Sequence, residues 1–436
     1  MFLLSKKYLR ESFKYLLRSP FVVKKYVSEI DSMYDMTHDE LRARNEKRFL
    51  EIFRKAYTCS EYYRNLCKDC GVYSIDDIKH LDDIAKLPIL TKDMLKEHGK
   101  ELLTCKEKGL IKNHTSGTTG TPLTVYQDWK SVWREQAYFV CFRKRCGYHY
   151  GEPMVSLRGN LTRDEISLKI HVSNTLFLSS YNINPQTAEI YHRLIQKHHP
   201  KAIEGYPSSL YSLALVLREK GLECHIPVAF TSSETLFDYQ RKVIEQVFHT
   251  QVYDHYGTTE RTIRLEESLD HSGYYEDPGY GIEEYYDDHI ISTSLINDVF
   301  PLIRYKTDDR IVLKKGVNKS SQGFIDNAGG IERVVGRTDD ILVCKDGSMV
   351  TRVDFIEEGE HIKACQWIQN EKGKLEIRIA PDEGFNDKDK EFVIEETLKR
   401  CGHGNMDITT KVCSMDEMVY SKRGKFKLIV NNLQQK

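Results

Sequence analysis

The stretch His114-Thr115-Ser116-Gly117-Thr118-Thr119-Gly120-Thr121-Pro122 decides how the rest of the chain is read. Its two glycines let the backbone approach a ligand closely, and the hydroxyls of Thr115, Ser116, Thr118 and Thr119 add donors beside the main-chain N–H groups. Such a loop fits around phosphate oxygens. It is not a Walker A loop, because Thr121-Pro122 follows Gly120 where Lys-Ser/Thr would be needed. A bare turn of small residues is the bland alternative for so biased a string.

Working outward from the loop, short β-like runs alternate with helical stretches between about 110 and 310. The runs are Pro153–Leu157, Ala202–Glu204, Val228–Ser232 and Val252–His255; the helices are Pro185–His198, Ser208–Lys220 and Asp238–Phe248. This alternation predicts α/β layers around a largely parallel sheet. The first hundred residues read as mostly helical. Past Tyr280 the pieces His289–Ile296, Ile303–Lys306 and Arg310–Lys314 predict a β-rich subdomain. From Val343 onward, strand-like Gln366–Gln369, Leu375–Ala380 and Ile408–Val412 with a helix Lys388–Cys401 predict a small separate module. The expected division is 1–105 (helical part of the large domain), 106–336 (core and β-rich subdomain) and 337–436 (C-terminal domain).

Several further strings stand in order along this frame. Phe230-Thr231-Ser232-Ser233-Glu234 ends a strand, where α/β folds place ligand loops, although a helix N-cap would look the same. Tyr253-Asp254-His255-Tyr256-Gly257-Thr258-Thr259-Glu260 offers an aromatic face suited to a purine and a carboxylate suited to a hard cation. Pro301–Asp309 ends in two carboxylates, and a carboxylate has the acceptor geometry a cis-diol needs. Gly336-Arg337-Thr338-Asp339-Asp340 and Ser421-Lys422-Arg423-Gly424-Lys425 complete the series; a charged turn and a solvated basic tail are their bland alternatives.

In this order the strings resemble the adenylate-forming (acyl-AMP) superfamily, and within it the phenylacetate-CoA ligase and CapK-like branch, which includes coenzyme F390 synthetase-like proteins. The resemblance covers nearly the whole chain. It implies a large N-terminal domain of α/β layers plus a β-rich subdomain, closed by a small, mobile α+β lid. ATP would lie along Thr115, Ser116, Gly117, Thr118, Thr119 and Gly120, with Ser233 and Glu234 bordering adenine. Tyr256 would stack on that base, Gly257 and Thr258 would meet the α-phosphate and acyl group, and Glu260 would hold Mg²⁺. Asp309 aligns with the ribose-binding Asp, although Asp308 stands where relatives usually have Gly. Arg337 would contact ribose and phosphate, Asp339 would be the hinge, and Lys425 would enter the site during adenylation. Phe139, Tyr206 and Pro207 are the implied acyl-pocket residues.

The implied reaction is ATP-dependent activation of a carboxylic acid, then acyl transfer to a thiol, favourably CoA, or to a sugar or carrier in surface-polysaccharide synthesis. The alternatives are a nucleotidyl transferase that leaves AMP on the acceptor, and an inactive binding subunit. Zinc is not expected, because residues 261–289 lack the cysteines that some relatives carry there.

Composition sets the outer limits. The 436 residues are 40% apolar and 30% charged with a net charge of −1, which gives no polycation for nucleic acid. Eleven cysteines without a regular framework suit reduced thiols and a cytoplasmic setting, and Cys67-x-x-Cys70 lacks a second pair for a metal site. Residues 1–27 carry seven Lys or Arg against one acid, Glu11, interspersed with Leu and Phe. Two readings stand there: a first helix whose apolar stripe packs on the body, the commoner case, or peripheral docking on an anionic membrane.

Overall fold

The computed structural model describes residues 2–114, 123–158, 160–161, 165–287, 289–307, 309–326, 328–337, 342–346, 349–350, 361–420 and 426–433. Ten α-helices occur among them: α1 Phe2–Leu17, α2 Pro20–Tyr34, α3 His38–Cys59, α4 Glu61–Asp69, α5 Lys92–His98, α6 Trp129–Arg145, α7 Ala188–His198, α8 Pro207–Glu219, α9 Asp238–Phe248 and α10 Asp387–Cys401. Two compact units divide the chain: Met1–Met154 with Lys169–Thr175 and Tyr253–Val334, and Val155–Leu168 with Leu176–Val252 and Val335–Lys436.

In the first unit, α3 opens with a capping box in which Thr37 and Glu40 exchange hydrogen bonds, which satisfies donors that the first turn leaves over. Its Phe49, Ile52, Phe53 and Ala56 recur at helical spacing and pack with Leu87, Leu90, Phe300, Leu302 and Tyr305. Strand Gln251–Gly257 runs antiparallel to Arg264–Glu267, which pairs in turn with Tyr274–Glu276. A second antiparallel sheet joins Gly281–Tyr285, Ile290–Ser294 and Tyr305–Thr307. Of the pieces read past Tyr280, His289–Ile296 and Ile303–Lys306 overlap strands of this sheet, whereas Arg310–Lys314 overlaps strand Asp309–Leu313 of another sheet.

The second unit holds the parallel pair Ala202–Gly205 and Val228–Ser232. Every residue of Val228–Ser232 is buried, which fits a strand covered on both faces. Helices α7, α8 and α9 contribute Tyr191, Ile195, Leu210, Leu213, Ile244 and Phe248 to its core. In the C-terminal part, four strands lie in the order Asp407–Val412, Lys374–Pro381, Ile362–Glu371 and Ile429–Asn431. Trp367, fully buried, donates its indole N–H to Thr397 Oγ1 of α10 at 3.0 Å. This part is seated on α8, where the Tyr211 hydroxyl donates to Lys363 O (2.7 Å) and Arg218 meets Asp382 (2.9 Å).

Two features depart from the sequence reading. Strand Ile362–Glu371 is ten residues rather than four, and Ile429–Asn431 adds a fourth strand. The added parts, 362–365 and 370–371, are where the pairing with Lys374–Pro381 is irregular, which breaks the alternation a strand shows in sequence. Within the strand, Gln366 and Gln369 are fully buried and hydrogen-bonded, Gln366 to Val419 and Lys427, Gln369 to Val343. Secondly, three residues of the apolar stripe of α1 do not pack on the body. Leu9, Phe13 and Leu16 are 65%, 62% and 54% exposed, while Tyr15 stacks on Tyr150 and buried Ser12 faces inward.

Candidate active site

The first unit supplies one group of polar side chains at the end of strand Gln251–Gly257. The Tyr256 hydroxyl donates to Asp309 Oδ2 at 2.5 Å, so an aromatic face and a carboxylate are fixed to each other before any ligand arrives. Gly257 is exposed, and a Cβ there would meet only Ile263 O, at 3.8 Å. Beside it, the Thr258 hydroxyl oxygen is buried with no hydrogen-bond partner among the described residues. A buried orphan hydroxyl is costly, and a bound ligand is one way to satisfy it. The following turn closes through Arg261 N–H to Thr258 O (3.2 Å), with Arg261 at φ 57°. Glu260 lies in this turn, and Tyr305 donates its hydroxyl to Glu260 Oε1 (3.2 Å).

These groups rest on buried charge. Arg304, at φ 52°, sends its guanidinium bidentately to Glu284 (3.0 and 2.9 Å) and its third nitrogen to the carbonyls of Ala85 and Leu87 (3.0 and 2.9 Å). It thereby fixes the chain immediately before Tyr305 and Asp309. Behind strand Gln251–Gly257, fully buried Arg264 bonds Asp277 (2.6 Å) and Glu266 (3.1 Å), and Arg145 joins Glu266. Phe139 packs edge-on to His255 with centroids 5.1 Å apart, and the Arg264 guanidinium lies 4.2 Å from its ring centre. Burial raises the pKa of Asp277, with the neighbouring Glu266 carboxylate adding to the effect and Arg264 opposing it.

The second unit supplies another group at the ends of its parallel strands. Ser233 follows strand Val228–Ser232 at φ 70°, a backbone state that a serine adopts at a cost. Glu234 then places its two carboxylate oxygens on two different segments. Oε2 accepts the N–H of Ser208 (3.0 Å) in the first turn of α8, and Oε1 accepts the N–H of Phe426 (3.0 Å). An anion at a helix N-terminus is electrostatically favoured. Tyr206 is the N-cap of α8 and Pro207 its first residue, while Gly205 allows close packing: a Cβ there would lie 2.8 Å from the Leu210 side chain. Arg158 donates to Ser232 Oγ (2.8 Å) and sits 3.7 Å from Glu204, itself bonded by Ser156 (2.9 Å).

Tyr420 and Phe426, which flank residues 421–425, form an antiparallel bridge with rings 5.7 Å apart. Gln366 bonds both sides of this base, taking the Val419 N–H (2.9 Å) and donating to Lys427 O (2.6 Å). Burial, reinforced by Asp416 and Glu234, pushes the Tyr420 hydroxyl up to about 12.

Two family models match the chain: acyl-protein synthetase LuxE over residues 25–148, and the CapK C-terminal domain over residues 342–432. Protein CapK of Staphylococcus aureus is 26% identical over 396 residues, covering 86% of this chain and 84% of that protein. A phenylacetate-coenzyme A ligase of Pseudomonas putida is 24% identical over 346 residues, covering 72% of this chain and 75% of its own length. A crystal structure of 2-hydroxyisobutyryl-CoA ligase in the postadenylation state superposes with a TM-score of 0.70 at 15% identity, covering 92% of this chain and 91% of that one. The chain is thus similar over most of its length to CapK and to phenylacetate-coenzyme A ligases, and its fold is that of an acyl-CoA ligase. Its fold is the one expected, α/β with a large N-terminal and a small C-terminal domain.

Within that fold, the structure brings Tyr256 to Asp309, Tyr305 to Glu260, and Glu234 to both Ser208 and Phe426. Thr115 to Gly120, Asp308, Asp339 and Lys425 lie outside the described residues. Arg337 ends strand Ile331–Arg337, but its side chain is likewise outside the description. Cys67 is buried in α4, and burial pushes its thiol up to about 12; Cys70 is the exposed C-cap. Among the described residues no cluster of three or more His, Cys, Asp or Glu side chains suits a metal ion. Sequence reasoning missed Arg304, Arg158 and Arg264. The signal was present for Arg304, an arginine set inside the apolar run Pro301–Ile303 and Tyr305.

Proposed function

We propose that this chain uses ATP to convert a carboxylic acid into an acyl-adenylate and then passes the acyl group to an acceptor, with the thiol of CoA as the first candidate. The observation that carries this reading is the double grip of Glu234, which ties the backbone of Phe426 to the first turn of α8. Phe426 directly follows Lys425 in the sequence, so the grip holds the residue next to the lysine at the Ser233-Glu234 loop.

In this reading Tyr256 receives the adenine face, Asp309 takes the ribose hydroxyls, and the orphan hydroxyl of Thr258 finds a phosphate or acyl oxygen. Ser233 and Glu234 border the base, and Arg337 adds donors to ribose and phosphate. Glu260, acceptor-only when ionised, would hold Mg²⁺, which would screen the phosphate charge. The residues Thr115 to Gly120 cradle the phosphates. The substrate carboxylate attacks the α-phosphorus, pyrophosphate leaves, and Lys425 stabilises the charge that develops. Reorientation about Asp339 then admits the acceptor. Tyr206, Pro207 and Phe139 shape the acyl side. A sugar or carrier acceptor is the second arm of the same scheme.

The test is acid-dependent ATP–pyrophosphate exchange. Lys425→Ala should lower exchange by about 100-fold or more, the scale for loss of one transition-state donor, with an unchanged melting curve. Full exchange in that variant removes Lys425 from the reaction. Mass spectrometry of the product then separates acyl-acceptor from AMP-acceptor.

A further inference from the structure

Helix α1 is pinned to the first unit along one side only. Tyr15 stacks on Tyr150 with centroids 4.9 Å apart and planes 7° apart, Tyr8 packs against His171, and the Trp133 indole donates to Leu17 O at 2.9 Å. Tyr8, Ser12 and Tyr15 follow the i, i+4, i+7 pattern of one helix face. Leu9, Phe13 and Leu16 follow the same pattern displaced by one residue, and they point outward. At the start of α2, Phe21 is 92% exposed and Val22 is also exposed, while Val23 next to them is fully buried. Five apolar side chains are therefore presented to solvent by two consecutive helices that are held in place.

The charge around them has one sign. Arg10, Lys24 and Lys25 are exposed, and no acidic partner is found for them among the described residues. The single acid of residues 1–27, Glu11, is taken by Lys14 at 2.7 Å. Arg18 does not belong to this face: burial, with Arg261 nearby, lowers its pKa. In a chain of net charge −1, exposed cations thus stand beside the exposed Leu9, Phe13, Leu16 and Phe21. No described helix is long and apolar enough to cross a membrane, so the face suits lying on a surface.

We propose that α1 and the start of α2 dock on an anionic lipid bilayer, with Leu9, Phe13, Leu16 and Phe21 entering the headgroup boundary while Arg10, Lys24 and Lys25 meet lipid phosphates. Apolar insertion beside Lys and Arg is the pattern of interfacial helices, and the anionic leaflet supplies the opposite charge. A protein partner would need a complementary acidic, apolar surface of matching shape. A bilayer needs only the composition seen here.

The test is co-sedimentation of the full chain with vesicles of phosphatidylcholine alone and of phosphatidylcholine containing one third phosphatidylglycerol. Binding to the anionic vesicles is expected, falling as salt rises, with little binding to the neutral ones. Arg10→Ser, Lys24→Ser and Lys25→Ser together should weaken partitioning by on the order of 100-fold, at about fivefold per charge. Phe13→Ser with Phe21→Ser should weaken it by about tenfold or more. All these side chains are exposed, so both variants should keep the parent melting temperature and ATP–pyrophosphate exchange. The proposal is overturned by absence of binding to anionic vesicles at low salt, by equal binding to neutral vesicles, or by variants that bind like the parent. It is also overturned if the chain is a dimer in solution that Phe13→Ser with Phe21→Ser converts to a monomer, which would assign the face to a second copy.

Discussion

Glu234 accepts the backbone N–H of Phe426 at 3.0 Å, across 192 residues of sequence, while its other oxygen accepts the N–H of Ser208 at the same distance. One carboxylate is thus bonded to two segments far apart in the sequence. Gln cannot replace it, because its amide nitrogen would face an N–H donor with a donor of its own. Glu234→Gln should therefore lower acid-dependent ATP–pyrophosphate exchange by about 10- to 100-fold, the worth of a charge-assisted hydrogen bond. The melting temperature should move little, since the α8 core remains intact. Exchange at the parent rate would mean that the Phe426 contact is not used in turnover.

The Tyr256–Asp309 hydrogen bond makes a different claim, about coupling. If Tyr256 receives the base and Asp309 the ribose, each residue positions the other as well as the nucleotide. Tyr256→Phe and Asp309→Ala should each raise KM for ATP by about tenfold. The double variant should be well short of the product of the two, because the second change removes a bond already lost. A double-mutant cycle on KM for ATP reads this directly, and strict additivity would show the two residues acting separately.

Two glycines separate a ligand's demand from the fold's demand. A Cβ on Gly281 would lie 2.3 Å from Thr262 O and 2.5 Å from Glu283 Oε1, so the sheet itself requires glycine there. At Gly257 only Ile263 O comes near, at 3.8 Å. Gly281→Ala is therefore expected to lower the melting temperature, by the equivalent of about 1–3 kcal/mol for overpacking. Gly257→Ala should melt like the parent yet lose nucleotide affinity by calorimetry. Parent-like ATP binding in Gly257→Ala would move the ligand away from this backbone.

These contrasts also mark how far the sequence could be read. Strand Val228–Ser232 and helix α9 fall where alternation and apolar spacing put them, because those segments bury what they expose to each other. Strand Ile362–Glu371 is longer than its sequence pattern, since irregular pairing near both ends breaks the alternation around Gln366–Gln369. Arg304 shows the same limit at the site. Its string draws attention to Asp309, whereas the role of the arginine depends on Glu284, Ala85 and Leu87, up to 219 residues distant. The Glu234 grip could not be seen either, because a carboxylate after two serines reads equally as a local cap. Local pattern carries periodicity and turn chemistry; long-range polar partners carry no local signature.

Buried acids give the last prediction. Glu283 lies in strand Gly281–Tyr285, buried, with no hydrogen bond to its side chain among those described. Burial raises its pKa well above the usual carboxylate range, and the neighbouring carboxylates of Glu276 and Asp277 raise it further. Glu276 is itself pushed up to about 7, chiefly by burial. In the unfolded chain these acids ionise near pH 4.5, so between there and the raised values the folded state binds more protons than the unfolded one. Their contribution to stability is complete below about pH 4.5 and is lost as pH rises through the raised pKa values. Glu283→Gln removes one proton from this balance. The difference in melting temperature, variant minus parent, should therefore grow from pH 4.5 to pH 8, with about 1–3 kcal/mol gained over that interval. At about 2–4 °C per kcal/mol the shift is readily measured. Reading the slope of the difference, rather than either melting temperature, cancels the other titrating groups and any fixed cost of burying the amide. Melting curves that stay parallel across this range would show that Glu283 ionises in the folded protein as easily as in the unfolded chain.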